Sequence, residues 1–136
     1  MNLDLHLESS SSFVCDLPLC QVRLSHNAAF PWILLIPKRD NCVELTDLTE
    51  PEQHLLMAEI NQTCHMMQSL FSPYKLNIAT LGNVVPQMHI HVIARYTTDP
   101  AWPNPVWNTV SSDYTPFELD QLTQKINTYF NTILKY

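Results

Sequence analysis

The sequence holds a single glycine, Gly82, among 136 residues. Dinucleotide fingerprints and P-loops each need several glycines, so every glycine-rich phosphate cradle is excluded. Any phosphate bound here is held by side chains and ordinary backbone amides. Basic residues are also scarce, with 7 Lys and Arg against 13 Asp and Glu and a net charge of −6. That balance excludes a broad electrostatic footprint for nucleic acid but not a nucleotide in a small pocket. No apolar run approaches the roughly 18 residues of a membrane helix, so no membrane partner is expected. The N-terminal stretch Met1 to Ser12 is polar and acidic rather than basic and then apolar, so no signal peptide is expected. None of the cysteines, Cys15, Cys20, Cys42 and Cys64, forms a Cys-x-x-Cys pair. Irregular spacing without a secretion signal suits reduced thiols and a cytoplasmic location, and leaves a zinc site on Cys15 and Cys20 as an alternative.

What is present suits a folded domain. Apolar residues make up 46% of the chain and charged residues 15%. The length fits one domain over residues 1–136, with a core at about 13–96 and a tail at 97–136. Ser9 to Ser12 reads as a turn or frayed loop. Cys20, Val22 and Leu24 alternate with Gln21 and Arg23, which predicts a strand over 19–24. The apolar run Trp32 to Ile36 predicts a second strand, buried on both faces and paired with the first as a hairpin. Val43 to Leu45 predicts a short further strand. Thr49 and Glu52 have capping-box spacing, and Leu55, Leu56, Ile60, Met67 and Leu70 carry a helix to Phe71. Met57, Met66 and Met67 read as core filler, His54 and His65 as surface residues of that helix, and His6 carries no signal. Strands follow over Lys75 to Leu81 and Gln87 to Tyr96, separated by a turn at Gly82 to Pro86. The stretch Asp99 to Asp113, rich in Pro and Trp, predicts an extended surface loop. Its Trp102 and Trp107 can stack on a base, meet a partner or anchor the loop. Thr115 and Glu118 form a second capping box, with Phe117, Leu122, Ile126, Phe130 and Ile133 on the apolar face of a C-terminal helix. The order predicts an α+β domain with a mainly antiparallel sheet of about five strands, a central helix and a C-terminal helix.

The segment Gln87-Met88-His89-Ile90-His91-Val92-Ile93-Ala94-Arg95 carries the chemistry. In a strand, alternation places Gln87, His89, His91 and Arg95 on one face and Met88, Ile90 and Val92 in the core. Neutral imidazole is a nucleophile near pH 7, and a second imidazole, a guanidinium and an amide stabilise charge at a phosphorus centre. The same pattern also fits two half-exposed surface histidines, or two metal ligands that lack a convincing third.

The segment resembles the histidine-triad motif, His-φ-His-φ-His-φ-φ with φ apolar, here with Gln87 in the first place. Gly82-Asn83-Val84-Val85-Pro86 is similar to the family's approach to that strand, and Trp32-Ile33-Leu34-Leu35-Ile36-Pro37-Lys38 to an earlier strand. The tail with Trp102 and Trp107 resembles a bacterial branch of histidine-triad hydrolases. The resemblance implies a nucleotide hydrolase or nucleotidyl transferase acting at the α-phosphate of nucleoside phosphoramidates or dinucleoside polyphosphates. It implies His89 as the attacking nucleophile, forming a nucleotidyl-histidine, and His91 at the phosphate and leaving group. It calls for no cofactor and no metal, and it implies a small-molecule nucleotide substrate and a symmetric homodimer. Gln87 replaces the first His, whose backbone carbonyl rather than ring orients the nucleophile in the family. Val84 replaces a phosphate-binding hydroxyl, and Trp32 stands where many members have a further His. Gln87, Asn83, Asn27 and Arg95 are the candidate substrate contacts, with Asn27 also readable as a turn residue and Arg95 as a solvated strand end. Two other readings stay open: a nucleotide-binding module without turnover, and a metal-binding or structural domain.

Overall fold

The computed structural model describes residues 1–134; residues 135 and 136, the end of the predicted domain, lie outside it. The elements are α1 (Leu5–Ser10), β1 (Ser11–Asp16), β2 (Cys20–Ser25), β3 (Trp32–Pro37), a short 3-10 turn (Leu45–Asp47), α2 (Glu50–Phe71), β4 (Lys75–Thr80), β5 (Ile90–Arg95) and α3 (Pro116–Leu134). The five strands form one sheet in the order β1-β2-β3-β5-β4, and every adjacent pair is antiparallel. The predicted α+β architecture is therefore observed.

Two predictions about the strands fail. Val43 to Leu45 is not a strand, because Asp47 turns back to accept from the amides of Val43 and Glu44 and closes the 3-10 turn. The missing strand is β1, which takes Ser11 and Ser12 out of the predicted loop, while Ser9 and Ser10 end α1. A bulge between Phe13 and Cys15 hides β1 from alternation. It buries the neighbours Val14 and Cys15 together and leaves Phe13 48% exposed.

Helices α2 and α3 form where their caps predict. Thr49 accepts from the Glu52 amide at 3.3 Å while the Glu52 carboxylate accepts from the Thr49 amide at 2.9 Å. Thr115 and Glu118 repeat this box at 3.1 and 2.9 Å. α2 stops at Ser72, which takes the left-handed conformation (φ 46°) ahead of Pro73. Both helices pack on one face of the sheet, where Leu56, Ile60, Met66, Met67, Ile126 and Phe130 meet Val22, Leu24, Ile33, Leu35, Ile90 and Val92. Met57 and Phe117 are not core residues; they stand 65% and 71% exposed on the outer sides of their helices. His54 and His65 are exposed, as predicted. Cys15, Cys20 and Cys42 are buried, unpaired thiols. Burial raises Cys15 to about 11 and pushes Cys20 higher still, which suits inert core thiols rather than metal ligands. No described helix is long and apolar enough to cross a membrane.

A carboxylate lies inside this core. Glu59 of α2 is 1% exposed, and its two carboxylate oxygens accept from the backbone amides of Leu19 and Cys20, both at 2.8 Å. Those amides open β2, so Glu59 ties the central helix to the sheet. Glu59→Ala would leave two buried donors unpaired and should cost about 2–4 kcal/mol. A lower urea midpoint at unchanged slope is the expected result, with Glu59→Gln falling between Ala and native.

Candidate active site

The opposite face of the sheet is covered by α1, by the segment 81–89 and by the tail loop, and they enclose a cavity of about 520 Å³. The strand registers explain what lies on its floor. β3 pairs with β5 so that Leu34 faces His91 and Trp32 faces Ile93. Side chains of even number in β3 and odd number in β5 thus point away from the helices. His89 immediately precedes β5 and continues that alternation. Both histidines line the cavity and each is 5% exposed.

Each imidazole has its protons fixed by a partner that can play only one role. The Gln87 carbonyl can only accept, and His89 Nδ1 lies 2.7 Å from it, so that nitrogen carries the proton. In the neutral ring His89 Nε2 is then a bare lone pair. The Trp32 indole N–H can only donate, and it lies 3.0 Å from His91 Nδ1. Neutral His91 therefore carries its proton on Nε2. That nitrogen is buried and has no hydrogen-bond partner among the described residues. The two rings meet edge to face at 5.0 Å. Burial, and after it His89, bring His91 down to about 4 against the opposing pull of the Leu81 backbone. A lone pair and an unsatisfied N–H thus stand side by side on one wall.

Some candidates join this pair and others do not. Asn83 and Asn27 line the cavity. Asn83 is exposed on the segment after Gly82, where an added Cβ would meet the Val85 carbonyl at 2.8 Å; only glycine fits that close approach. The Asn27 side chain is a loop tie as well, accepting from the amides of Ala29 and Ser112 and donating to the Val110 carbonyl. Val84 is 86% exposed at the rim.

Gln87 does not share the histidine face as predicted, and Arg95 shares it without lining the cavity. Gln87 precedes β5, so strand alternation does not reach it. Its amide turns to the N-terminal segment, accepting from the Asp4 amide at 2.8 Å and donating to the Asn2 carbonyl at 3.2 Å. Only its backbone carbonyl serves the site. Arg95 is not solvated and does not line the cavity. It is 1% exposed, pairs with Asp99 at 2.8 Å, bonds Asn77, and lies against the rings of Phe30 and Trp102. Trp102 accordingly anchors the tail loop, with Tyr74 against it at 5.5 Å.

Pattern reading did not place four contributors at the histidines: Trp32, Trp107, His6 and His26. Trp32 was visible as part of an apolar strand and as a replacement for a further His, but its bond to His91 was not, because that depends on the β3–β5 register. Trp107 reaches back from the tail to meet both His91 (5.2 Å) and Trp32 (6.1 Å) edge to face. His6, on α1, and His26, bonded to Ser12 at 2.8 Å, complete the far wall. Among the described residues no Lys or Arg lines the cavity, and no group of three or more His, Cys, Asp or Glu is placed to hold a metal ion.

The HIT domain family matches residues 6–98. The chain belongs to this family. A histidine triad protein from Bradyrhizobium japonicum shares 38% identity, with a TM-score of 0.91 over 94% of this chain and 96% of that one. A second, from Marinobacter aquaeolei VT8, shares 32% identity and a TM-score of 0.92 over 96% of each chain. The diadenosine triphosphate hydrolase of Plasmodium falciparum, at 19% identity and a TM-score of 0.67 over 96% of this chain and 80% of that one, shares the fold. No curated protein matches the chain. The HIT match covers the histidine wall and α1, and it ends before Trp102 and Trp107.

The buried ion pair that replaces a solvated Arg95 has a pH signature. Burial pushes Asp99 up, but hydrogen bonds from Arg95 and from the amides of Tyr96, Ala101 and Trp102 outweigh it and bring the carboxyl from 3.8 to about 2. A carboxylate held below its unfolded value gives stability that is full above that value and is lost as pH falls through the folded one. The native chain should therefore lose ~2 kcal/mol from this group between about pH 4 and pH 2. In urea unfolding, the stability gap between native and Asp99→Asn should narrow over that window.

Proposed function

We propose that this HIT domain is a nucleotide hydrolase or nucleotidyl transferase that acts at the α-phosphate through a nucleotidyl-histidine. The observation that carries the proposal is the complementary pair of tautomers, a bare Nε2 on His89 beside an Nε2–H on His91. His89 Nε2 attacks phosphorus, and the bond to the leaving group breaks with its electron pair going to that group. The nucleotidyl-imidazolium keeps its proton on Nδ1, where the Gln87 carbonyl stabilises the positive charge. Water or another acceptor then attacks phosphorus, the P–N pair returns to Nε2, and the acceptor's proton goes to solvent. His91 Nε2–H supplies a fixed donor to the developing charge, which matters more in a cavity that no Lys or Arg lines among the described residues. Gln87 in the first motif position does not weaken this reading, because the nucleophile uses only its carbonyl.

The second reading, nucleotide binding without turnover, draws on Val84, which presents no hydroxyl at the rim. AMP release separates the two. Native protein should release AMP from adenosine phosphoramidate or a diadenosine polyphosphate, and His89→Ala should lose ~10³-fold or more of that rate. Binding of AMP by a folded native protein that releases none would favour the second reading.

The homodimer is part of the same proposal. β4 ends the sheet, and beside it lies an apolar groove of about 640 Å³ lined in part by Met57, Ile60 and Ile78. A strand edge with an apolar flank is self-complementary about a two-fold axis, and a second copy covers both. Light scattering should give twice the chain mass, and Ile78→Lys should give a monomer.

A further inference from the structure

Trp32 touches the catalytic pair without belonging to the motif, and its effect on His91 bears on the substrate. The indole N–H occupies His91 Nδ1 at 3.0 Å. An imidazolium needs a proton on that nitrogen, so charging His91 means breaking the bond and setting two donors against each other. Around the ring the Leu81 backbone favours a positive charge, and it stands against burial and the neighbouring rings. Trp32 and Trp107 meet it edge to face at 5.6 and 5.2 Å, and His89 stands at 5.0 Å. The other titratable groups sharing the cavity are His6 of α1, His26 after β2 and Asp113 of the tail loop. Of these only Asp113 is an acid, and it is exposed on its loop.

A neutral imidazole that donates through Nε2–H is a hydrogen-bond donor and not a proton donor. Giving up that proton would leave an imidazolate, since Nδ1 has no proton source while Trp32 holds it. The leaving group must then depart without taking a proton from His91. An oxygen leaving group of a phosphoric anhydride can do so, because a phosphate or similar oxyanion is stable near pH 7. An amine nitrogen cannot, since it leaves only when protonated.

We infer that Trp32 is a positioning residue that locks His91 as a neutral Nε2–H donor, and that this site is built for nucleotide derivatives whose leaving atom is an oxygen departing as an oxyanion, rather than for phosphoramidates. The inference rests on the reading of the site given above and narrows its substrate class. The balance of the step follows. His89 Nε2 forms the P–N bond, the P–O bond breaks with its electron pair on the departing oxygen, and no proton moves. His91 keeps its Nε2 proton and donates a hydrogen bond throughout.

Three adenosine probes test this. Diadenosine triphosphate and the 4-nitrophenyl ester of AMP both leave through oxygen and differ in leaving-group charge; adenosine phosphoramidate leaves through nitrogen. General acid catalysis typically contributes about 10²–10⁴-fold. A site without it should show kcat/KM at least ~100-fold higher for the better oxygen probe than for the phosphoramidate. A smaller ratio overturns the inference. The two oxygen probes also separate a polyphosphate from a singly charged leaving group as the natural partner of the site.

The lock itself is read without turnover, by ¹⁵N NMR of the His91 ring in native protein at neutral pH. A proton on Nε2 with Nδ1 bare is the expected result; an imidazolium or a proton on Nδ1 overturns the lock. Trp32→Phe keeps a ring against Trp107 and removes the donor. It should release His91 from a single tautomer and narrow the oxygen-to-nitrogen preference, raising relative use of the phosphoramidate ~10-fold. An unchanged preference in a folded Trp32→Phe variant would overturn the positioning role. If no probe releases AMP, the proposed activity fails, while the NMR measurement still decides whether Trp32 sets the tautomer.

Discussion

Strand β5 is hydrogen-bonded on both sides, to β3 and to β4, and this pairing is the constraint on which the site depends. A slip of one residue would turn Ile90 and Val92 out of the core and His91 into it. The register is held because those apolar residues meet two helices and have no alternative place. The position of His91 is thus a by-product of core packing. The protons on the two imidazoles are then set by one carbonyl and one indole, each of which can act in a single sense. Packing places the rings, and two hydrogen bonds decide which nitrogen does what.

The cavity's chemistry follows from what surrounds that pair. Among the described residues the wall has no Lys or Arg, and the guanidinium nearest in sequence, Arg95, is held against Asp99, Phe30 and Trp102. Arg95 fastens the tail loop, the tail loop carries Trp107, and Trp107 closes over His91. The acidic chain thus directs one of its few cations to building the cavity and leaves charge stabilisation inside it to neutral donors.

Much of this was legible in the sequence. Both long helices announced themselves by capping boxes and spaced apolar residues, and β2, β3 and β4 by local pattern. β1 was not legible, because serines open it and a bulge breaks its alternation at Phe13 and Cys15. Val43 to Leu45 misled because three β-favouring letters say nothing of Asp47, whose carboxylate captures two amides. At the site, alternation placed His89, His91 and Arg95 on one face and failed for Gln87, which stands before the strand begins; it gave no sign that Arg95 finds its partners in the tail and in β4. Trp32 shows the limit of such reading most clearly, since a cross-strand bond depends on register, and register is a property of the whole sheet.

The residue that makes the triad motif look damaged has a second use. Gln87 presents its carbonyl to His89 and its side chain to the backbone of Asn2 and Asp4. Asp4 in turn caps α1, which supplies His6, Leu7, Ser9 and Ser10 to the cavity wall. One residue therefore couples the orientation of the nucleophile to the seating of the N-terminal segment. A histidine there would keep the first contact, but its two ring nitrogens do not reproduce the side-by-side oxygen and NH2 of the carboxamide that make the second. Motif scoring that counts a missing imidazole as decay would overlook that the position has taken over the closure of the pocket.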